Sequence, residues 1–293
     1  WNQTAHVAGV FDGQSISLAI KRKDFNKYYI SNLSLGHVNS TTIYNNGKAV
    51  IIKNDSVTPI TDPQTLEDLQ LQCYISLDYG YKKLGYKLTR LEDFKFGNFD
   101  CYTVLAESAL GKKTINYYDK NKGRLIRINY PTGSKTAFPD VFKHEGITLP
   151  VTILMVDAKN NQTQSNVQLI IYENSLDPYW FHIPNEGKYQ APETFKTGTF
   201  KYTNSKDEAI IVRGNDSQTE TINGKIVEYK VKWDSNNDYL LFRVKNPANP
   251  PTDENLEVLK VRIISWDNNR YYCQYLTSEN VGGTCAFEKV KAK

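Results

Sequence analysis

The chain has 293 residues, 36 basic and 32 acidic, for a formal net charge of +4, and 40% of them are hydrophobic. That length holds two ordinary domains, each with a core of its own. So small a charge excess leaves no electrostatic footprint for nucleic acid, and no apolar run approaches the roughly 18 residues of a membrane-crossing helix.

The N-terminal half reads as strands. His6–Gly13 and Gln14–Ile20 form two strands or one bent strand, with Ile16, Leu18 and Ile20 alternating against small residues. Lys21, Arg22 and Lys23 form the densest basic run, expected to be a solvated strand end. Lys27–Leu35 follows, and Ser40–Tyr44 meets Ala49–Lys53 across Asn46 and Gly47, both of which tolerate positive φ in a tight hairpin.

A helix is predicted to start at Thr61, Asp62 and Pro63, where Thr or Asp caps the free amides and Pro suits the first turn. Leu66, Leu69 and Cys73 fall near one face of it, and a second helical stretch is placed around Asp78–Leu84. Asp100–Leu105, Thr114–Tyr118 and Arg124–Tyr130 then read as an antiparallel meander with turns at Gly111 and at Asp119–Gly123. Gly146–Val156 and Asn166–Tyr172 flank a turn at Asp157–Asn161, and the run closes on Asn174–Pro178 and Trp180–Pro184.

The Gly97–Tyr102 strand, the Tyr117–Leu125 turn, the strand start Gly146–Pro150 and the Asn174–Asp177 to Phe181–Pro184 ending resemble bacterial periplasmic lipoprotein-carrier and lipoprotein-receptor proteins of the LolA/LolB-like fold. The likeness covers residues 1–186 and implies an unclosed, curved antiparallel half-barrel with helical cover over an apolar ligand surface. Proteins of that family usually carry a long helix before the first strand, whereas this chain enters almost directly at a strand. It also begins at Trp1, as expected of a mature product from which an export signal has been removed.

Residues 187–197 carry Gly and Pro without periodicity and are expected to link two domains. From 198 to 293 about eight short strands follow, at the spacing of a small antiparallel β-barrel. Gly198–Tyr202, Ile211–Glu220, Lys230–Asp234 and Tyr239–Leu241 resemble a lipocalin-like domain frequent in Bacteroidota, for which the resemblance implies no activity. Arg213, Asp216, Gln218 and Glu220 are candidates to line a site there, although hydrogen bonding at strand ends is the commoner use of such residues.

Little in the sequence promises catalysis. His6, His37, His144 and His182 are isolated, so no metal site is expected, and no nucleophile elbow, phosphate loop or dinucleotide fingerprint occurs. Asp93, Asp100 and Glu107 are the acids with some prospect of converging, against a strong expectation of solvated strand faces. Four cysteines, Cys73 with Cys101 and Cys273 with Cys285, fit either one disulfide in each half or four buried thiols.

The fold expected is therefore mainly β, a half-barrel followed by a small barrel, with no catalytic residues and no cofactor. Its ligand surface is expected on one concave face carrying Ile16, Leu18, Ile20, Val104, Ile115, Tyr117, Ile126, Ile128, Val151, Ile153, Met155, Leu169 and Ile171. The expected occupant is a lipid or a lipoprotein acyl chain, in the periplasm or at the outer membrane. The alternative is an accessory subunit docked on an outer-membrane protein complex.

Overall fold

A computed structural model describes residues 2–11, 14–34, 37–144, 147–172, 176, 178–203, 209–244, 258–276 and 281–290. The chain divides into two compact units, one of residues 1–54 and 58–183, the other of residues 55–57 and 184–293.

Among the described residues the first unit holds sixteen strands, two α-helices and a 3-10 turn at Pro178–Phe181: β1 (Asn2–Phe11), β2 (Gln14–Lys23), β3 (Lys27–Ser34), β4 (His37–Asn45), β5 (Lys48–Lys53), β6 (Ser56–Ile60), α1 (Pro63–Gln72), α2 (Leu77–Lys83), β7 (Lys87–Arg90), β8 (Phe94–Phe96), β9 (Phe99–Glu107), β10 (Lys113–Asp119), β11 (Leu125–Asn129), β12 (Lys135–Ala137), β13 (Val141–His144), β14 (Ile147–Pro150), β15 (Thr152–Val156) and β16 (Gln162–Tyr172). The first two residues of β6 count with the second unit. The order across the open sheet is β6-β5-β4-β3-β2-β1-β16-β15-β12-β11-β10-β9-β7, with β8 also on β9 and β13 paired with β14 apart from it. The pairings are antiparallel, and β1 against β16 joins the two ends of the chain segment in mid-sheet. Asn46 (φ 50°) and Gly47 (φ 83°) make the expected tight turn between β4 and β5.

Helix α1 starts where its signals lie: Asp62 Oδ2 accepts the Thr65 amide at 2.8 Å, and Pro63 opens the first turn. Its apolar face, with Leu66, Leu69 and Cys73, packs on Tyr28, Tyr44, Ala49, Ile20 and Ile30. Helix α2 continues the cover through Tyr81, which packs with Leu71 on Ala106.

The basic run at the end of β2 is not solvated. Lys21 is buried, its Nζ 3.2 Å from Thr4 Oγ1 and 4.2 Å from the centre of the Trp180 ring. Arg22 donates from Nε to the Gln72 carbonyl (2.6 Å) and from Nη1 to Gln3 Oε1 (2.7 Å), and Lys23 donates to the Leu176 carbonyl (2.7 Å). Long basic side chains bury their stems readily, so a basic triplet alone does not mark a wet surface.

The second unit holds β17 (Gly187–Lys188), a 3-10 turn at Glu193–Phe195, and β18 (Gly198–Tyr202), β19 (Ala209–Arg213), β20 (Ser217–Ile222), β21 (Lys225–Trp233), β22 (Asp238–Arg243), β23 (Leu259–Trp266), β24 (Arg270–Leu276) and β25 (Val281–Lys289). β18 to β25 form a closed barrel in chain order, sealed by β18 against β25. Its core is Phe200, Ile211, Val231, Leu241, Val261, Ile263 and Phe287, stoppered by Phe195. The eight strands follow the spacing read from the sequence. The start of the sixth predicted strand of the second half, at Leu256, and most of the Asn174–Pro178 segment lie outside the described residues.

Candidate functional site

Register assigns the expected ligand face residue by residue, because directly opposed side chains on neighbouring strands share a face. Val104 opposes Asn116, which opposes Ile128. Ile128 opposes Thr136, Thr136 opposes Met155, and Met155 and Ile153 oppose Thr163 and Ser165. Ser165 opposes Gly9, and on this same side Val7 opposes Leu18 and Ala5 opposes Ile20. Leu18, Ile20, Val104, Ile128, Ile153 and Met155 thus share one face, and Val151, two residues before Ile153, falls on it as well. This is the face under α1 and α2.

Ile115, Tyr117 and Ile126 do not belong to it. Ile115 and Tyr117 oppose Leu105 and Thr103, one residue out of step with Val104, and a bulge in the β10–β11 pairing turns Ile126 to their side. There Tyr117 and Ile126 pack with Cys101, Phe96 and Phe99, and the Phe94 ring lies 5.4 Å from that of Tyr117. The sheet end is apolar on both faces because Phe94 and Phe96 of β8, which pairs edge to edge with β9, join Phe99 on the second. Ile16, Leu169 and Ile171 sit on β2 and β16, but their side chains lie outside the described residues.

The helices cover two stretches of the shared face and leave the middle. Met155, flanked by Thr136 and Thr163, is 41% exposed. Gly9, Thr136, Met155 and Thr163 of this face line a wide-mouthed hollow of about 1090 Å³, together with Lys135, Val156, Gln162 and Gln164, which alternate with them along β12, β15 and β16, and with Tyr130, Ser134 and Asn161 at its rim. Of the expected face residues whose side chains are described, Met155 is the one that lines it, and Ile20 and Ile128 are taken up by the packed parts of the face. The rim is more polar than the sequence led us to expect. Its carboxylate, Asp157, is spent on its own turn: Oδ1 accepts the amides of Lys159 (2.8 Å) and Asn161 (2.9 Å), Oδ2 accepts Asn161 Nδ2 (2.8 Å), and the Asn161 bonds hold its pKa below the usual carboxylate value.

The three dispersed acids do not gather into one group. Asp93 is tied to Arg90 and Lys120, and Asp100 lies near the same Lys120, whereas Glu107 meets Lys113 at the far end of β9. Among the described residues, no group of three or more His, Cys, Asp or Glu side chains is placed to hold a metal.

Inside the barrel, three of the four polar residues singled out in the sequence come together. Arg213 is 2% exposed and donates to Gln218 Oε1 (2.6 Å), the Phe195 carbonyl (3.2 Å), Tyr239 Oη (2.7 Å) and Tyr271 Oη (2.8 Å). Gln218 Nε2 in turn donates to Glu220 Oε1 (2.6 Å). Asp216 is exposed at the turn before β20. Burial raises the Glu220 pKa, with Gln218 and Arg213 pulling the other way.

All four thiols are free and buried. Cys73 lies under α1 and Cys101 on the opposite face, with Tyr117, so the sheet stands between the first-half pair. Cys273 and Cys285 face each other across β24 and β25, inside the barrel.

No family model matches the chain, and no curated protein matches it. Among solved structures it is similar to a DUF1329 family protein from Desulfovibrio piger, at 14% identity and a TM-score of 0.45 over 62% of this chain and 89% of that one. It is similar also to a putative outer membrane lipoprotein-sorting protein domain from Vibrio parahaemolyticus (11%, TM-score 0.45, 61% and 88%) and to a LolA superfamily protein from Nitrosomonas europaea (9%, TM-score 0.47, 61% and 89%). These likenesses concern the fold alone.

Proposed function

We propose that the protein is a non-catalytic binding protein of the cell envelope, and that the first unit seats an acyl chain of a lipid or lipoprotein on the uncovered middle of its helix-covered face. The observation that carries this is Met155, an exposed thioether at the floor of a large hollow between the two stretches of the face that α1 and α2 cover. Met is suited to such a surface because its side chain adapts to an irregular apolar partner. Each buried methylene contributes about 0.8 kcal/mol, so a chain of ordinary length binds without a covalent step. Ser134 and Asn161 on the rim are positioned to meet a polar end, and the sequence motifs described above favour the same reading.

Native mass spectrometry of the purified protein, with displacement of a fluorescent fatty acid, tests it. An acyl adduct in the wild type, lost in Met155→Glu without change in thermal stability, is the expected result. No adduct, together with equal probe binding by both proteins, overturns it.

The accessory-subunit reading is favoured by a different observation. β7 is the sheet's terminal strand, all four of its residues are exposed, Leu88 (53% exposed) among them, and Phe94 (50%) stands on β8, the other strand paired with β9. Such an edge is a template for strand addition by a partner. Leu88→Lys with Phe94→Ser is expected to abolish co-purification with an envelope complex and leave acyl binding intact; co-purification that survives both changes counts against docking there.

A further inference from the structure

The barrel holds a second hollow, of about 300 Å³, at the end away from Phe195 and the Arg213 guanidinium. It is lined by Tyr202, Tyr275 and Phe287, by Ala209, Ile211 and Ile222, and by two polar groups, the Glu220 side chain and the Cys285 thiol. We propose that this hollow binds a small organic cation, an ammonium group on a short apolar body, with Glu220 as its counter-ion.

Three features select that chemistry. Glu220 is oriented rather than free: Arg213 takes Gln218 Oε1 as acceptor, which leaves the Gln218 amide to donate to Glu220 Oε1 at 2.6 Å. The other oxygen, Oε2, makes no hydrogen bond among the described residues and keeps its acceptor capacity for a ligand. Next, Arg213, the cation linked to Glu220 through Gln218, is already committed. Arg213 gives its donors to Gln218, Phe195, Tyr239 and Tyr271, lies over the rings of Phe200 and Tyr239, and does not line the hollow. Among the described residues no Lys or Arg lines it, so an anion meets only a carboxylate of like charge. Finally, aromatic faces beside a carboxylate attract a desolvated ammonium group through the ring quadrupole, and Tyr202 and Phe287, tilted at 44° with ring centres 5.3 Å apart, form one such wall. The volume lies at the small end of ligand pockets and admits a compact molecule rather than a long acyl chain. The site is separate from the hollow of the first unit, so it stands or falls independently of the acyl-chain reading.

The test titrates the full chain with three probes of similar shape and different charge: phenethylamine, 3-phenylpropanol and 3-phenylpropionate, read by calorimetry and by tyrosine fluorescence. The amine is expected to bind at least about tenfold more tightly than the alcohol, which sets a difference of about 1.4 kcal/mol, and the acid is expected to bind least. Glu220→Gln is expected to erase the preference for the amine while leaving the alcohol unchanged. Ile222→Trp, which fills the mouth and keeps the carboxylate, is expected to abolish binding of both and serves where Glu220→Gln does not fold. Equal binding of the three probes, tightest binding of the acid, or no binding of the amine overturns the proposal.

Discussion

Cys273 and Cys285 are direct cross-strand partners whose side chains both enter the barrel core, and the Tyr202 hydroxyl lies 3.2 Å from Cys285 Sγ. Hydrogen bonding from Cys273, Tyr202 and Tyr275 lowers the Cys285 pKa, whereas burial pushes that of Cys273 well up. The two thiols titrate as a pair, and Cys285, which lines the barrel hollow, is the one placed to meet an external disulfide.

With oxidised glutathione as oxidant, Cys285 attacks one of its sulfurs and Cys273 then displaces the second glutathione, so the protein loses two hydrogens and two reduced glutathiones leave. The intact mass is expected to fall by about 2 Da, and closing this short loop to stabilise the barrel by roughly 2 to 3 kcal/mol. Cys73 and Cys101 are expected to remain thiols, both alkylated after unfolding. Peptide mapping checks this: a Cys73–Cys101 bridge contradicts the placement of these residues on opposite faces of the sheet.

Arg22 joins the end of α1 to the sheet through the Gln72 carbonyl and Gln3, and among the described residues no carboxylate is one of its hydrogen-bond partners. Burial lowers its pKa, while the neighbouring Tyr28 and Cys73 favour its charged form. Removing the guanidinium leaves the helix C-terminal carbonyl and Gln3 without their donor, a loss of about 1 to 3 kcal/mol. Arg22→Met is expected to speed amide hydrogen exchange across α1 more than across β9 and β10. Uniform acceleration throughout the first unit indicates instead that Arg22 acts on the whole fold.

Much of this architecture was legible in the sequence, and the exceptions have identifiable causes. The cap at Asp62, the Asn46-Gly47 turn and the eight barrel strands each follow from local chemistry, and local chemistry is what a sequence displays. Which face a side chain occupies depends on pairing. Ile115 alternates as regularly as Val104, yet the two point to opposite sides because their pairing is one residue out of step, and Phe94 and Phe96 of β8 with Phe99 of β9 bury the face that Ile115 takes. The pairing of β1 with β16 spans some 160 residues of sequence, so the floor of the hollow, where Gly9 meets Ser165, gives no local signal. In the barrel the spacing of Arg213, Gln218 and Glu220 did carry a signal: alternate positions on two neighbouring strands place all three on one face.

Gly9 fixes the approach of β1 and β16 at that floor. A Cβ there meets Ser165 Oγ at 2.5 Å and the Gln164 carbonyl oxygen at 2.8 Å, and the second is backbone that cannot rotate away. Gly9→Ala is expected to destabilise the first unit by about 1 to 3 kcal/mol through overpacking. Gly9→Ala combined with Ser165→Ala is expected to recover only part of this, because the carbonyl contact remains. Urea unfolding of the four proteins of the cycle measures the coupling, and full recovery in the double variant assigns the strain to the Ser165 side chain alone.

Glu220 makes the barrel's stability depend on pH in a direction set by its burial. Its folded pKa is raised, so the folded state holds the proton more tightly than the unfolded chain does. The stabilisation from protonation is complete below the ordinary carboxylate pKa of about 4.3 and is lost as pH rises from there through the higher folded value. Hydrogen exchange in β19 and β20 is expected, after correction for intrinsic rates, to show a smaller opening free energy at neutral pH than at mildly acidic pH. Glu220→Gln, which keeps the hydrogen-bonding length and removes the titration, flattens that profile. The same variant leaves the pH dependence of the first unit's strands unchanged, since Glu220 lies in the other compact unit. A wild-type profile that rises with pH across this interval contradicts a buried carboxyl group that prefers its proton.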